Sequence, residues 1–366
     1  MNVLILISIL ALFFTYFEYK GIVKNGMLIG FIILTAILGI RFEYGNDYIS
    51  YAQKFYTYGH ETFKFSDLTN GTISDPIWYM LNRLFYPLGF ETMVICLTVI
   101  ASFTYYKLIK LLPPNLWVFG LFIYLFTNSF MPMQLSMLRQ ALAMALIILA
   151  TLAILNKKII TPSIFLITAS GIHSSAIICI PLILLLYLDF AKHKKIVIVS
   201  FLCLFALFFV AHDFLLELLK STLNSMDSID SLAKYDEKYL NGSKYEASAA
   251  KSLFGLILYL FPVAINLFYV IKSKDEKTVK LSILYIFGAF VFLLDQIVPM
   301  VGRLAWYFTI FSIVSLPLAF KNINNKLFRI GLIILFIAIT LKEYYSFFYS
   351  LNWKDSYMTF QTIFNA

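Results

Sequence analysis

Short clusters of lysine separate one long apolar stretch after another along this chain, and that alternation leaves few folds open. Twelve stretches can be read, at about 2–19, 25–41, 90–110, 115–131, 133–155, 159–171, 173–190, 194–212, 251–272, 278–297, 302–320 and 326–345. A bilayer core satisfies no backbone polar group, so only helices and closed barrels cross it. Runs of this length without strict alternation read as helices. Of the 366 residues, 61% are hydrophobic and 13% charged. A soluble domain is about 25% charged. The expectation is an all-α polytopic membrane protein with about 12 transmembrane helices, a single integral membrane domain over residues 1–366. Several stretches fall short of the roughly 20 residues of a straight span. Pro132 and Gly171 are expected to mark tight turns between such neighbours.

The lysine clusters fix an expected orientation. With the N-terminus outside, the inner loops hold Lys20, Lys24, Lys107, Lys110, Lys157, Lys158, the cluster at 192–195, the cluster at 272–280, Lys321, Lys326 and Arg329. That is the pattern of the positive-inside rule, and it puts both termini outside. Arg41, Arg83, Arg139 and Arg303 then fall on the outer side, which should be poor in basic residues. No basic residue precedes the first apolar run and no cleavage site follows it, so residues 1–19 read as a retained span. The net charge of +9 reads as topology and contact with membrane lipids, not with nucleic acid. Cys96, Cys179 and Cys203 lie in apolar runs and form no CxxC pair.

Two outer segments are long. The first, 41–91, is expected to hold interfacial helices. Asn46 can cap one of them, with Tyr48, Ile49, Ala52, Phe55 and Tyr56 on its apolar side. Pro76 opens a second, through Phe85. The other segment, 213–250, mixes acidic and basic residues without periodicity.

Arginine near hydrocarbon is costly, and its planar fork suits phosphate and carboxylate. Arg139, about one turn inside the 133–155 stretch, either snorkels or pairs with a neighbouring span, or presents a fixed cation to an outward cavity beside Gln140. Arg303 shares a helix face with Tyr307. It either closes a hairpin onto Asp295 or supplies a second cation. Arg41 either offsets a helix dipole or joins Glu43 and Asp47 in a cluster with two possible bases. His173 is either a turn residue or a base suited to taking a hydroxyl proton near neutral pH. His60 and His193 read as solvated loop residues, and His212 as the second choice for a base.

Several chemistries lack their signatures. There is no Walker A, GxGxxG, DxD, HExxH or GxSxG motif, and no cysteine–histidine cluster. The expectation is no metal and no cofactor. Acidic residues are missing deep in the spans, where proton-coupled transporters use them.

The pattern Arg41, Gly45, Asp47, Tyr48, Tyr51, then Asp75-Pro76, Arg139-Gln140, the I-H-S-S-A run at His173, and Arg303 with Tyr307 resembles the EpsG/Wzy-type polysaccharide (O-antigen) polymerases of bacterial envelopes. Asp75 departs from that pattern, which more often has Glu. The resemblance implies a GT-C-like glycosyltransferase of the inner (plasma) membrane. It implies polymerisation, at the periplasmic face and without metal, of oligosaccharide repeat units carried on undecaprenyl pyrophosphate, and it admits a chain-length regulator as partner. On that reading Arg139 and Arg303 clamp the departing diphosphate with Arg41 assisting. His173, or else Asp47 or Glu43, takes the acceptor proton. Tyr48, Tyr51, Trp78 and the run Tyr344–Trp353 are expected to meet sugar rings. The alternatives are an O-antigen ligase-type transferase, and a flippase or exporter of lipid-linked oligosaccharide. The chain lacks the pseudo-repeated halves expected of a transporter.

Overall fold

A computed structural model describes residues 2–62, 73–188, 190–211, 214, 217, 253–296, 301–350 and 354–365. The segment 213–250 and His212 lie almost wholly outside the described residues. Among the described residues the structure is 81% helical, with one two-stranded pairing. Its first elements are α1 (Asn2–Tyr19), α2 (Gly26–Gly39), β1 (Arg41–Phe42), α3 (Tyr48–His60), α4 (Pro76–Phe85) and α5 (Phe90–Ile109). Next come α6 (Trp117–Phe126), α7 (Met131–Gln134), α8 (Leu138–Leu155), α9 (Ile160–Ile172), α10 (Cys179–Leu184) and α11 (Lys194–Val210). The chain closes with α12 (Leu253–Lys272), α13 (Glu276–Leu293), α14 (Gly302–Thr309), α15 (Ser312–Lys321), α16 (Lys326–Tyr349), α17 (Lys354–Met358) and β2 (Gln361–Thr362).

Among the described residues, four helices are long and apolar enough to cross a membrane: α1, α5, α8 and the Gly255–Lys272 part of α12. The pair α14–α15 makes a fifth if its 59° bend lies within one span. Several long apolar helices fit a multi-pass membrane protein. Several of the twelve expected stretches are not single helices, 173–190 and 302–320 among them. Residues 173–190 break into a 3-10 turn (Ser174–Ile178), α10 and further short turns. Pro181 removes a donor from that run, so apolarity there does not carry one continuous helix. The stretch 302–320 bends between α14 and α15.

Two compact units divide the chain: residues 1–187 with 325–366, and residues 188–324. In the first, α3 and α4 pack on the ends of α5, α8 and α9 through one buried apolar cluster. Tyr48, Tyr51, Phe55, Trp78, Phe90 and Leu138 belong to it. Tyr48 meets Phe90, and Tyr51 meets Trp78, edge to face with centroids 5.2 and 5.6 Å apart. Each such pair contributes about 0.5–1.5 kcal/mol beyond its buried area. The chain terminus returns to the same place: β2 pairs antiparallel with β1, Arg41 opposite Thr362. In the second unit α13 packs against both α14 and α15, and Asn266 of α12 donates to Ser315 of α15 at 3.1 Å.

The first outer helix differs from expectation in its cap and its face. Asp47, not Asn46, holds the N-cap position. Tyr48, Tyr51 and Phe55 form the buried stripe, whereas Ile49 and Tyr56 are exposed. Tertiary packing selects the face three and seven residues along from Tyr48, instead of the one through Ile49 and Tyr56 that the local pattern favoured.

Candidate functional site

The expected helix 133–155 is two helices. Residues 135–137 interrupt it, and Met137 has φ −97° and ψ 68°. Arg139 is therefore the second residue of α8, not one turn inside a longer helix. A helix N-terminus carries a positive partial charge, so a cation placed there calls for an anion nearby. Asp75 supplies it. The Asp75 Oδ2 pairs with Arg139 Nη1, and its Oδ1 accepts a hydrogen bond from the Ser174 backbone N–H at 2.8 Å. Asp75 is 6% exposed, while the Arg139 side chain keeps 28% of its surface open. The ring of Tyr51 lies 5.7 Å from the Arg139 guanidinium carbon. Burial pushes the Tyr51 phenol up, and the Arg139 charge pulls it partly back. The Arg139 Nε is buried and has no acceptor among the described residues. An unmet buried donor costs about 1–3 kcal/mol, which an anionic oxygen brought to it removes.

His173 caps the C-terminus of α9, donating its backbone N–H to Ala169 O at 2.9 Å, and begins the 3-10 turn. Gly171 lets α9 approach α4: a Cβ there would stand 2.5 Å from the Ile77 Cδ1. That contact brings the histidine turn to Asp75. One carboxylate thus joins the arginine of α8 to the residue after the histidine. Gln140 is buried beside Arg139 in the first turn of α8.

A family model described as the EpsG family matches residues 24–362. The chain belongs to the EpsG family. This is the family of Wzy-type polysaccharide polymerases, and membership indicates a glycosyltransferase-like polymerase. No curated protein and no solved structure matches the chain.

The remaining EpsG motif residues mostly build the frame of the site. Arg41 is 2% exposed, and its Nη1 donates to Leu38 O at 2.6 Å and Thr98 Oγ1 at 3.0 Å. It tops the C-terminus of α2, the dipole-offsetting arrangement. The cavity it lines holds about 30 Å³, room for water and too little for a diphosphate. Glu43 is exposed, with φ +47°. The backbone N–H of Asp47 donates to Ser136 Oγ at 3.2 Å. The phenol of Tyr48 donates to Arg41 O at 3.3 Å. The Tyr48 and Trp78 rings are each 2% exposed, so both face protein neighbours. Arg83 donates to Tyr58 O and Glu61 O, each at 2.7 Å, closing the end of α3.

Arg303 belongs to the second unit. It is the second residue of α14, and Asp295 Oδ1 accepts from the Gly302 N–H at 2.8 Å. Tyr307, one turn on, is fully buried. In the sequence Asp75 stands out only as part of a motif, and nothing local marks Ser136. The available signal for Asp75 was an acidic residue directly before the proline that opens a helix.

Gly45 explains why this motif sits where it does. Its φ is +108°, and a Cβ would stand 2.8 Å from Leu135 O and 3.0 Å from Ser136 Cα. Gly45 therefore lies flat on the break that starts α8. Gly45→Ala is expected to cost about 1–3 kcal/mol and to lower activity with it. Thermal unfolding in detergent checks this, and an unchanged melting temperature contradicts it.

Tyr48 gives the frame a pH dependence. Burial, the largest cause, raises its phenol from the ordinary 10.0 to about 12, against a smaller opposing pull from Arg41. The unfolded chain ionises first, so this contribution is whole below pH 10 and is lost as pH rises through about 12. Tyr48→Phe should lose less melting temperature than wild type between those values.

Proposed function

We propose that the protein polymerises a surface polysaccharide from oligosaccharide repeat units carried on undecaprenyl pyrophosphate, at the outer face of a bacterial inner membrane. The lysine clusters support that orientation, with the N-terminus outside. The single observation that carries the reading is the Arg139–Asp75–Ser174 linkage, which gathers a partly open guanidinium and the histidine turn at one carboxylate.

The reaction is a substitution at an anomeric carbon. A hydroxyl oxygen of one lipid-linked unit forms the new C–O bond. The bond from that carbon to the diphosphate breaks, and the diphosphate leaves with the electron pair. His173 accepts the hydroxyl proton. Arg139 and the N-terminus of α8 meet the negative charge growing on the diphosphate, as oriented donors do at a developing oxyanion. The energy resides in the substrate, so the step consumes no nucleotide. Arg303 is carried forward as a separate candidate cation, with Tyr307 on its face. Arg41, Asp47 and Tyr48 hold the frame.

The test is a reconstitution. Protein in liposomes receives lipid-linked repeat units on the leaflet facing the site. A ladder of longer glycans is expected. Movement of labelled units across the bilayer with no ladder would replace this reading with a flippase or exporter. Transfer of glycan to a lipid A core acceptor, with no ladder, would replace it with a ligase.

A further inference from the structure

We infer that Asp75 is a positioning residue of this site, a side chain that sets the arginine and the histidine turn at a fixed spacing. The inference rests on the reading of Arg139 and His173 given above.

Three observations carry it. Asp75 occupies the N-cap position of α4 with Pro76 directly after it. An aspartate there ordinarily accepts from an N–H of its own helix. This one makes no such bond. Its carboxylate turns away to two other elements, with one oxygen on Arg139 of α8 and the other on the Ser174 N–H at 2.8 Å. The side chain thus leaves a local role for a long-range one.

The second observation is burial. Asp75 is 6% exposed and meets a guanidinium that stands at the positive end of its own helix. Without the carboxylate that cation would face the positive end of its helix with no anion to offset the repulsion. The third is the surrounding contact. Tyr51 lies beside the guanidinium, held in turn by Trp78. The carboxylate and the ring leave Arg139 little freedom except toward its open surface. Ser174 opens the 3-10 turn, so the bond to its N–H fixes the backbone one residue past the imidazole.

Asp75→Asn keeps the size and removes the charge. In liposomes with lipid-linked repeat units, its kcat should fall by about 10²-fold, with a smaller change in KM, since displacements near 1 Å cost that much. The acid limb of its pH–rate profile should move, because the negative charge bonded to the Ser174 N–H beside the histidine is gone. Asp75→Glu restores the charge but adds a methylene, and should run about tenfold below wild type. Asp75→Asn should cost clearly less in an Arg139→Lys background than in wild type, as expected of residues that act in part as a unit. A folded Asp75→Asn with wild-type kcat and pH profile overturns the inference. If Asp75→Asn does not fold, Asp75→Glu decides, and wild-type kcat there overturns it equally. Full activity in Arg139→Lys instead defeats the underlying reading of the site. Loss in Arg139→Lys beside normal Asp75 variants defeats the positioning role alone.

Discussion

Arg139→Lys is expected to fold and insert like wild type yet to lose about 10²- to 10³-fold in polymerisation rate. That loss corresponds to about 3–4 kcal/mol of transition-state stabilisation. The substitution keeps the charge, so Asp75 retains a cation to pair with. It removes the planar fork that meets two oxygens at once. It also removes the Nε donor, which lies buried without an acceptor among the described residues. Ground-state attraction to a diphosphate falls little, because a lysine remains a point charge. The oriented donors that tighten as the leaving group gains charge are what disappear. The loss should therefore appear in kcat more than in KM. Unfolding temperature and ladder formation, measured on the same preparation, separate the two effects. An unaltered ladder removes Arg139 from the chemistry.

His173→Asn is expected to cost about 10²- to 10⁴-fold in rate, the usual span for one general base. The more telling result is the shape of the pH profile. A neutral imidazole accepts a proton and an imidazolium does not, so the wild-type rate should fall toward acid pH. Asparagine has no such titration, and that limb should vanish while the residual rate stays flat. Asparagine also preserves the backbone of the turn, whose Ser174 N–H bonds to Asp75. An unchanged rate with an unchanged limb assigns the proton to another group. Asp47 and Glu43 are then next, and parallel variants of each measure that directly.

Much of this was legible because apolar composition and helix punctuation are local properties. Asn2–Tyr19, Phe90–Ile109 and Ile160–Ile172 match their apolar stretches almost to the residue. Pro76 opens α4 as its fixed φ allows. The break at 135–137 was hidden, because no glycine or proline marks it. It depends on chain far away in sequence, where Gly45 packs on Leu135 and Ser136 and the Asp47 N–H bonds to Ser136. Missing that break misplaced Arg139 within its helix and concealed why it needs an anion. Asp75 was hidden for a related reason: its local role as a cap competes with a distant pairing that only the fold creates. Arg41 shows the opposite case. Its position at the end of α2 already suggested the dipole-offsetting role that its bonds to Leu38 and Thr98 now display.

The central claim is that Arg139 grips the departing diphosphate, and a product-binding titration tests it most directly. Wild-type protein, Arg139→Lys and His173→Asn, each in liposomes, would be titrated with undecaprenyl pyrophosphate carrying no sugar. Wild type and His173→Asn should bind it equally, and Arg139→Lys at least tenfold more weakly, about 1.4 kcal/mol. Equal affinity across all three proteins would contradict the account.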